Sequence, residues 1–172
     1  DAAVVTGPDS ICSGNTATLT ATAPGGTYKW YEVATGGTPV FTGNPFHTPV
    51  LNSTKTYYVE AESASKCTSV SRTPVTVPVS EVHAQFTATP TMGEAPLLVD
   101  FINTSTGGIS YLWDLGNLFT STSKNVSYTF TTKGEGSSTY VVTLIVINDF
   151  GCADTAKVTI TIDPYSELII PN

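Results

Sequence analysis

Four groups of side chains in this sequence have types that could carry chemistry. In SYLWDLGNLFTS, at 110–121, an indole, a carboxylate and a glycine (Trp113, Asp114 and Gly116) fall within four residues. Glu60 and Glu62 stand two apart in KTYYVEAES, so on an extended strand they share a face, as the paired carboxylates of a glycoside hydrolase must be able to do. His47 and His83 offer imidazoles of the kind that hold metals or activate nucleophiles. Cys12, Cys67 and Cys152 are the thiols.

Each group also has a plainer reading, and spacing decides between the two. On a strand, Tyr111 and Trp113 point one way and Ser110, Leu112 and Asp114 the other, so an inward indole fills a sandwich core. Asp114 then ends the strand, where a carboxylate accepts backbone N–H bonds, and Gly116 supplies a positive φ. Catalysis would need a second acid or a nucleophile–base pair, and nothing nearby offers one. The two histidines lie in different halves of the chain, both beside loop signals, so neither a zinc site nor a Ser-His-Asp arrangement can be assembled. Glu60 and Glu62 fit an exposed polar face. No Gly-rich phosphate loop or EF-hand spacing occurs, and no cofactor is expected. Calcium is the weaker exclusion, because carboxylates scattered in sequence can converge on it; Glu81, Asp149 and Asp163 are the candidates. The cysteines match no C-x-x-C pattern, so one extracellular disulfide plus a leftover thiol is expected.

The elements that must position these residues are strands. Ser and Thr supply roughly a quarter of the chain, Val, Thr, Ile and Tyr favour pleated surfaces, and there is one Met and little Leu, Lys or Glu to build helices. A net charge of −7 with scattered Lys and Arg gives no basic stripe for nucleic acid. No apolar run approaches the ~20 residues that span a bilayer, so membrane insertion is not expected. The amino terminus has no signal peptide, which reads as a mature protein or an excised fragment.

One plan occurs twice along the 172 residues. TATLTATA (16–23) alternates apolar and polar residues, TYKWYE (27–32) carries Trp30, KTYYVEAES (55–63) alternates again, and SRTPVTVPV closes the unit. FTATP, LLVDFIN, SYLWDL, VSYTF, STYVVTLIVIND and DTAKVTITI repeat the scheme at sandwich spacings. The fold class is all-β, two tandem antiparallel β-sandwiches spanning 1–78 and 84–163, joined by a short linker at 79–83 and followed by a tail at 164–172. A join this short implies domains set end to end as a semi-rigid rod. Tyr57 and Tyr140 each open the late strand of their sandwich, the position of a tyrosine corner. Tyr58 points the other way and is freer to meet a ligand.

Residues 1–78 resemble the immunoglobulin-like domains of secreted Bacteroidetes proteins, through Cys12 with Gly14, Trp30, the run Thr56-Tyr57-Tyr58-Val59, and Cys67. Residues 84–162 resemble the PKD domain, whose YxWDFGDG turn is matched by Tyr111, Trp113, Asp114 and Gly116, and whose later strand is matched by Tyr140, Val142, Leu144, Val146, Asn148 and Gly151. LIIPN resembles the segment before the sorting domain of the type IX secretion system. Asn117 and Leu118 replace the family's final Asp-Gly. The resemblance implies a Cys12–Cys67 disulfide. Glu94 stands where related PKD domains carry the partner of Cys152, which implies a free thiol at Cys152 unless it pairs with another chain.

Two surface features remain. On TYVVTLIVIN the inward set is Tyr140, Val142, Leu144 and Val146, which leaves Val141, Thr143, Ile145 and Ile147 outward. With Leu112, Leu118 and Phe119 they define a candidate apolar interface, unless a loop or the tail covers it. Asp9-Ser10-Ile11 and Asp154-Thr155-Ala156 resemble the Bacteroidetes O-glycosylation signal, making Ser10 and Thr155 candidate sites. The expected function is a non-catalytic extracellular spacer or adhesion module of a large exported surface protein, in contact with that protein's other domains, a surface protein or a polysaccharide. The alternatives are an accessory polymer-binding module of a secreted hydrolase and a self-assembling fibre subunit.

Overall fold

The computed structural model describes residues 2–24 and 26–165. The chain divides into two compact units, residues 1–81 and 82–172. Among the described residues there is no helix, so the all-β expectation holds.

In the first unit the strands are β1 (Val4–Thr6), β2 (Ile11–Cys12), β3 (Thr18–Thr22), β4 (Thr27–Tyr31), β5 (Phe41–Thr42), β6 (Phe46–His47), β7 (Lys55–Glu62), β8 (Thr73–Val77) and β9 (Val79–Ser80). They form sheets β1-β3-β6 and β5-β4-β7-β8, with β2 and β9 paired parallel. Alternation explains the layering: in β3, Leu19 and Ala21 are buried while Thr18, Thr20 and Thr22 face water, and β7 buries Tyr57, Val59 and Ala61. Trp30 has no exposed surface. Its ring lies 5.3 Å from that of Phe46, and its N–H donates to the Gly43 carbonyl at 3.0 Å, which satisfies the one polar atom a buried indole carries.

The second unit contains β10 (Phe86–Thr89), β11 (Met92–Glu94), β12 (Leu97–Asn103), β13 (Ser110–Asp114), β14 (Thr120–Ser121), β15 (Val126–Phe130), β16 (Ser138–Ile147) and β17 (Ala153–Asp163). Its sheets are β10-β12-β15 and β11-β17-β16-β13-β14. β16 and β17 form a long hairpin, in register from Ser138↔Ile162 to Ile147↔Ala153. Asn148 closes it: its Oδ1 accepts the N–H groups of Phe150 (3.0 Å) and Cys152 (2.9 Å), while Gly151 turns through φ +80°. The core is aromatic, with Trp113 fully buried and packed edge-on to Phe86 at 5.0 Å.

Two expectations are corrected here. Residues 79–83 are not wholly linker, because Val79 and Ser80 are strand β9 and pair with Ile11 and Cys12. The disulfide-bonded cysteines are Cys12 and Cys152, and Cys67 is an exposed free thiol. The Cys12–Cys67 bridge and the free Cys152 are thus both overturned. Cys67 belongs to a tight turn after β7, where Ser63 N–H donates to its carbonyl at 2.9 Å and its own N–H donates to Ser63 Oγ at 3.2 Å. That closure directs its sulfur onto the Ser65 carbonyl of the same loop.

Candidate functional site

The 113–119 turn is built from the strand end outward. Asp114 Oδ1 accepts the Gly116 N–H at 2.8 Å, Asn117 Oδ1 accepts the Phe119 N–H at 3.2 Å, and Leu115 N–H closes onto the Phe119 carbonyl at 3.1 Å. Gly116 has φ +74°, and a Cβ there would stand 2.8 Å from the Val141 carbonyl oxygen, so the turn is pressed against β16. Leu115 is fully buried beneath it. Trp113 N–H donates to the Ser123 carbonyl at 2.9 Å. Asp114 Oδ1, Asn117 Oδ1 and the Trp113 indole N–H each hold local backbone, so Trp113, Asp114 and Gly116 are accounted for as architecture. Tyr111 is half-buried against the same core.

The two corner tyrosines differ. Tyr140 Oη donates to the Thr131 carbonyl at 2.6 Å, tying the start of β16 to the residue that follows β15. Tyr57 is equally buried, but its hydroxyl makes no hydrogen bond among the described residues; burial, and secondarily the carboxylate of Glu32, holds its pKa above the usual phenol value. Tyr58 is half-buried between Tyr31 and Pro74 on the neighbouring strands.

The carboxylates on β7 are committed to cations. Glu62 receives Lys29 Nζ at 2.6 Å and Lys66 Nζ at 3.2 Å, and the Lys29 bond holds its pKa below the ordinary range. Glu60 lies 3.8 Å from Arg72 Nε. Arg72 was not singled out by its sequence context, yet its guanidinium sits 3.2 Å from the Tyr31 ring centroid and donates to the Val33 and Gly36 carbonyls at 2.8 and 2.7 Å. A lone Arg before a Pro-broken strand carries no signal for such a clamp. His47 Nδ1 pairs with Thr18 Oγ1 at 3.0 Å, and His83 is exposed, 3.8 Å from Asp154.

Among the described residues no three His, Cys, Asp or Glu side chains converge on a metal-sized space. Glu81 and Asp149 are exposed, and Asp163 accepts a hydrogen bond from Ser137 Oγ at 2.7 Å. Of the two modification candidates, Thr155 is exposed on β17, whereas half-buried Ser10 donates to the Pro78 carbonyl at 3.3 Å. Asp154, beside Thr155, is held by the N–H groups of Ala84 and Thr155, both at 2.8 Å, which lowers its pKa.

The outer face of β13 and β16 is where the apolar residues gather. Leu112 stands opposite Ile145, and Ser110 opposite Ile147. Leu112 and Val141 are exposed, at 43% and 51%, and Ile145 and Ile147 are half-buried. Leu118 is wholly exposed at φ +70°. Phe119 packs instead on Tyr128 of the other sheet, with centroids 4.9 Å apart.

A family model described as the PKD domain matches residues 76–162. The chain belongs to the PKD-domain family. The matched span includes Tyr111, Trp113, Asp114, Gly116 and Tyr140, whose geometry is given above. Residues 1–80 match a second model, the Ig-like domain described as CHU_C associated. Among solved structures, the chain is similar to the PKD1 domain of the Vibrio cholerae metalloprotease PrtV (37% identity over 46% of this chain and 94% of that one, TM-score 0.38). It is also similar to the PKD1 domain of Vibrio anguillarum Epp (27% identity, 49% and 95%, TM-score 0.39). A third similar structure comes from work on carbohydrate-binding modules of the β-sandwich superfamily (27% identity, 48% and 34%, TM-score 0.43). No curated protein matches the chain. The LIIPN tail lies outside the described residues.

Proposed function

We propose that this PKD and Ig-like pair is a non-catalytic, extracellular contact and spacer module of a larger exported surface protein, whose PKD outer face meets another protein domain. The observation that carries the reading is the set Leu112, Val141 and Leu118, three large apolar side chains left in water on a domain with a complete core of its own. Leu112 and Val141 share the outer face of one sheet, and exposed apolar side chains on such a face are characteristic of an interaction surface. Leu118 adds to this, because it occupies a left-handed backbone conformation that a branched side chain adopts at a cost.

The presence of a disulfide supports export, and the sequence resemblances of residues 1–78 and LIIPN support a Bacteroidetes protein routed through type IX secretion. The commitment of Glu60, Glu62 and Asp154 to cations or backbone amides supports a non-catalytic role.

The test is site-specific photo-cross-linking in the native full-length protein on its own cells. A photoreactive residue at Val141 is expected to yield a discrete adduct that Ile145→Asp abolishes, while the same probe at Thr129, on the opposite sheet, yields none. Equal labelling from both positions, or none from Val141, overturns the reading.

A further inference from the structure

Tyr57 and Tyr140 are each the third residue of a long strand, β7 and β16 respectively. Both rings are sealed, at 1% and 5% exposure. Tyr140 spends its hydroxyl on the Thr131 carbonyl. The Tyr57 hydroxyl has no partner among the described residues and opens into a cleft of about 360 Å³ lined by Glu32, Val40, Phe41, Phe46, His47 and Tyr57, among others. The ring is sealed while the hydroxyl faces the cleft, so it is free to exchange a hydrogen bond with a ligand there.

We infer that this cleft in the first unit binds a neutral polyhydroxylated ring, a sugar unit of a polysaccharide or glycan. The walls are aromatic and aliphatic. Phe41 stacks on Phe46 with centroids 5.4 Å apart and planes at 23°, and Phe41 and Val40 remain exposed, so they present a flat apolar surface to the C–H face of a pyranose. The polar groups suit hydroxyls: Tyr57 both donates and accepts, and Glu32 accepts. Charge argues against ionic ligands, because Lys55 Nζ lies 3.3 Å from the Glu32 carboxylate and neutralises it. Phosphate would meet a Lys55 already paired with Glu32 and a His47 already bonded to Thr18, and a quaternary ammonium would meet a Glu32 already paired with Lys55. The volume lies at the lower end of the ~300–1,000 Å³ range of small-ligand clefts, which suits a mono- or disaccharide unit of a longer chain.

This site lies in the first unit and stands independently of the PKD face, so either test can fail without touching the other. The experiment is an NMR titration of the full 172-residue chain with soluble cello-, xylo- and chito-oligosaccharides, with choline and inorganic phosphate as controls. At least one oligosaccharide is expected to shift the amides of residues 40–48 and 55–58 saturably at millimolar concentration. Phe41→Ala is expected to weaken that binding by about tenfold or more, and Tyr57→Phe by several-fold while leaving the melting temperature unchanged. Overturning results are no saturable shift with any oligosaccharide, shifts confined to other residues, an equal response to choline or phosphate, or affinity unchanged in both variants.

Discussion

Tyr140 and Tyr57 show how one residue type at one strand position acquires two duties. The Tyr140 hydroxyl is bonded at 2.6 Å inside a packed corner, so Tyr140→Phe is expected to cost about 1 kcal/mol, measured as a lowered urea midpoint. An unchanged midpoint would show that the bond contributes nothing net. Both corner tyrosines were legible from their place in the sequence, but their divergence was not. It depends on whether a neighbouring segment brings a backbone carbonyl within reach of the hydroxyl. The cysteines fail as sequence signals for the same reason. Spacing along the chain says nothing about which sulfurs meet, and the family pattern implied a bond for Cys67, which is instead an exposed free thiol. Without reductant, a maleimide should label one thiol per native molecule, at Cys67. Labelling at Cys12 or Cys152 by peptide mapping contradicts that assignment.

At the scale of elements, alternation made the long strands readable. KTYYVEAE, LLVDFIN and STYVVTLIVI each bury every second residue, as the pattern requires. The two-residue strands β2, β5, β6, β9 and β14 are too short to show a period, which is why the β9 segment reads as linker in the sequence. The paired charges across β4 and β7 give a pH dependence that can be signed. The lowered pKa of Glu62 means its contribution is present above the ordinary carboxylate range and is lost as pH falls through the folded value. The raised pKa of Lys29 makes the same pair fade again at strongly alkaline pH. Asp154 adds to the acid limb in the second unit. Urea midpoints followed from neutral pH to below about 4 should fall, and fall less steeply in Glu62→Gln. Parallel curves would remove Glu62 from the account.

Across the whole molecule, the two units carry separate cores, one centred on Trp30 with Phe46 and Tyr57, the other on Trp113 with Phe86, Phe101 and Phe130. Replacing either indole with Ala is expected to cost about 3–5 kcal/mol, from lost transfer energy and the cavity left behind. Native-state hydrogen exchange localises the damage. Trp113→Ala should strip protection from β12, β13 and β16 while β3 and β7 keep theirs, and uniform loss across both units would refute separate cores. The candidate sites were legible to different degrees for a physical reason. The PKD outer face follows from strand parity alone, whereas the first unit's cleft draws Glu32, Phe41 and Tyr57 from three separate segments that only tertiary packing brings together.

Position 118 turns these observations into a lever for protein engineering. A leucine there twists its backbone through φ +70° and touches no core, so glycine should relieve on the order of 1 kcal/mol of left-handed strain, seen as a raised melting temperature. If the chain keeps leucine for the company it attracts rather than for its own durability, the sturdier Leu118→Gly variant would be the less sociable one.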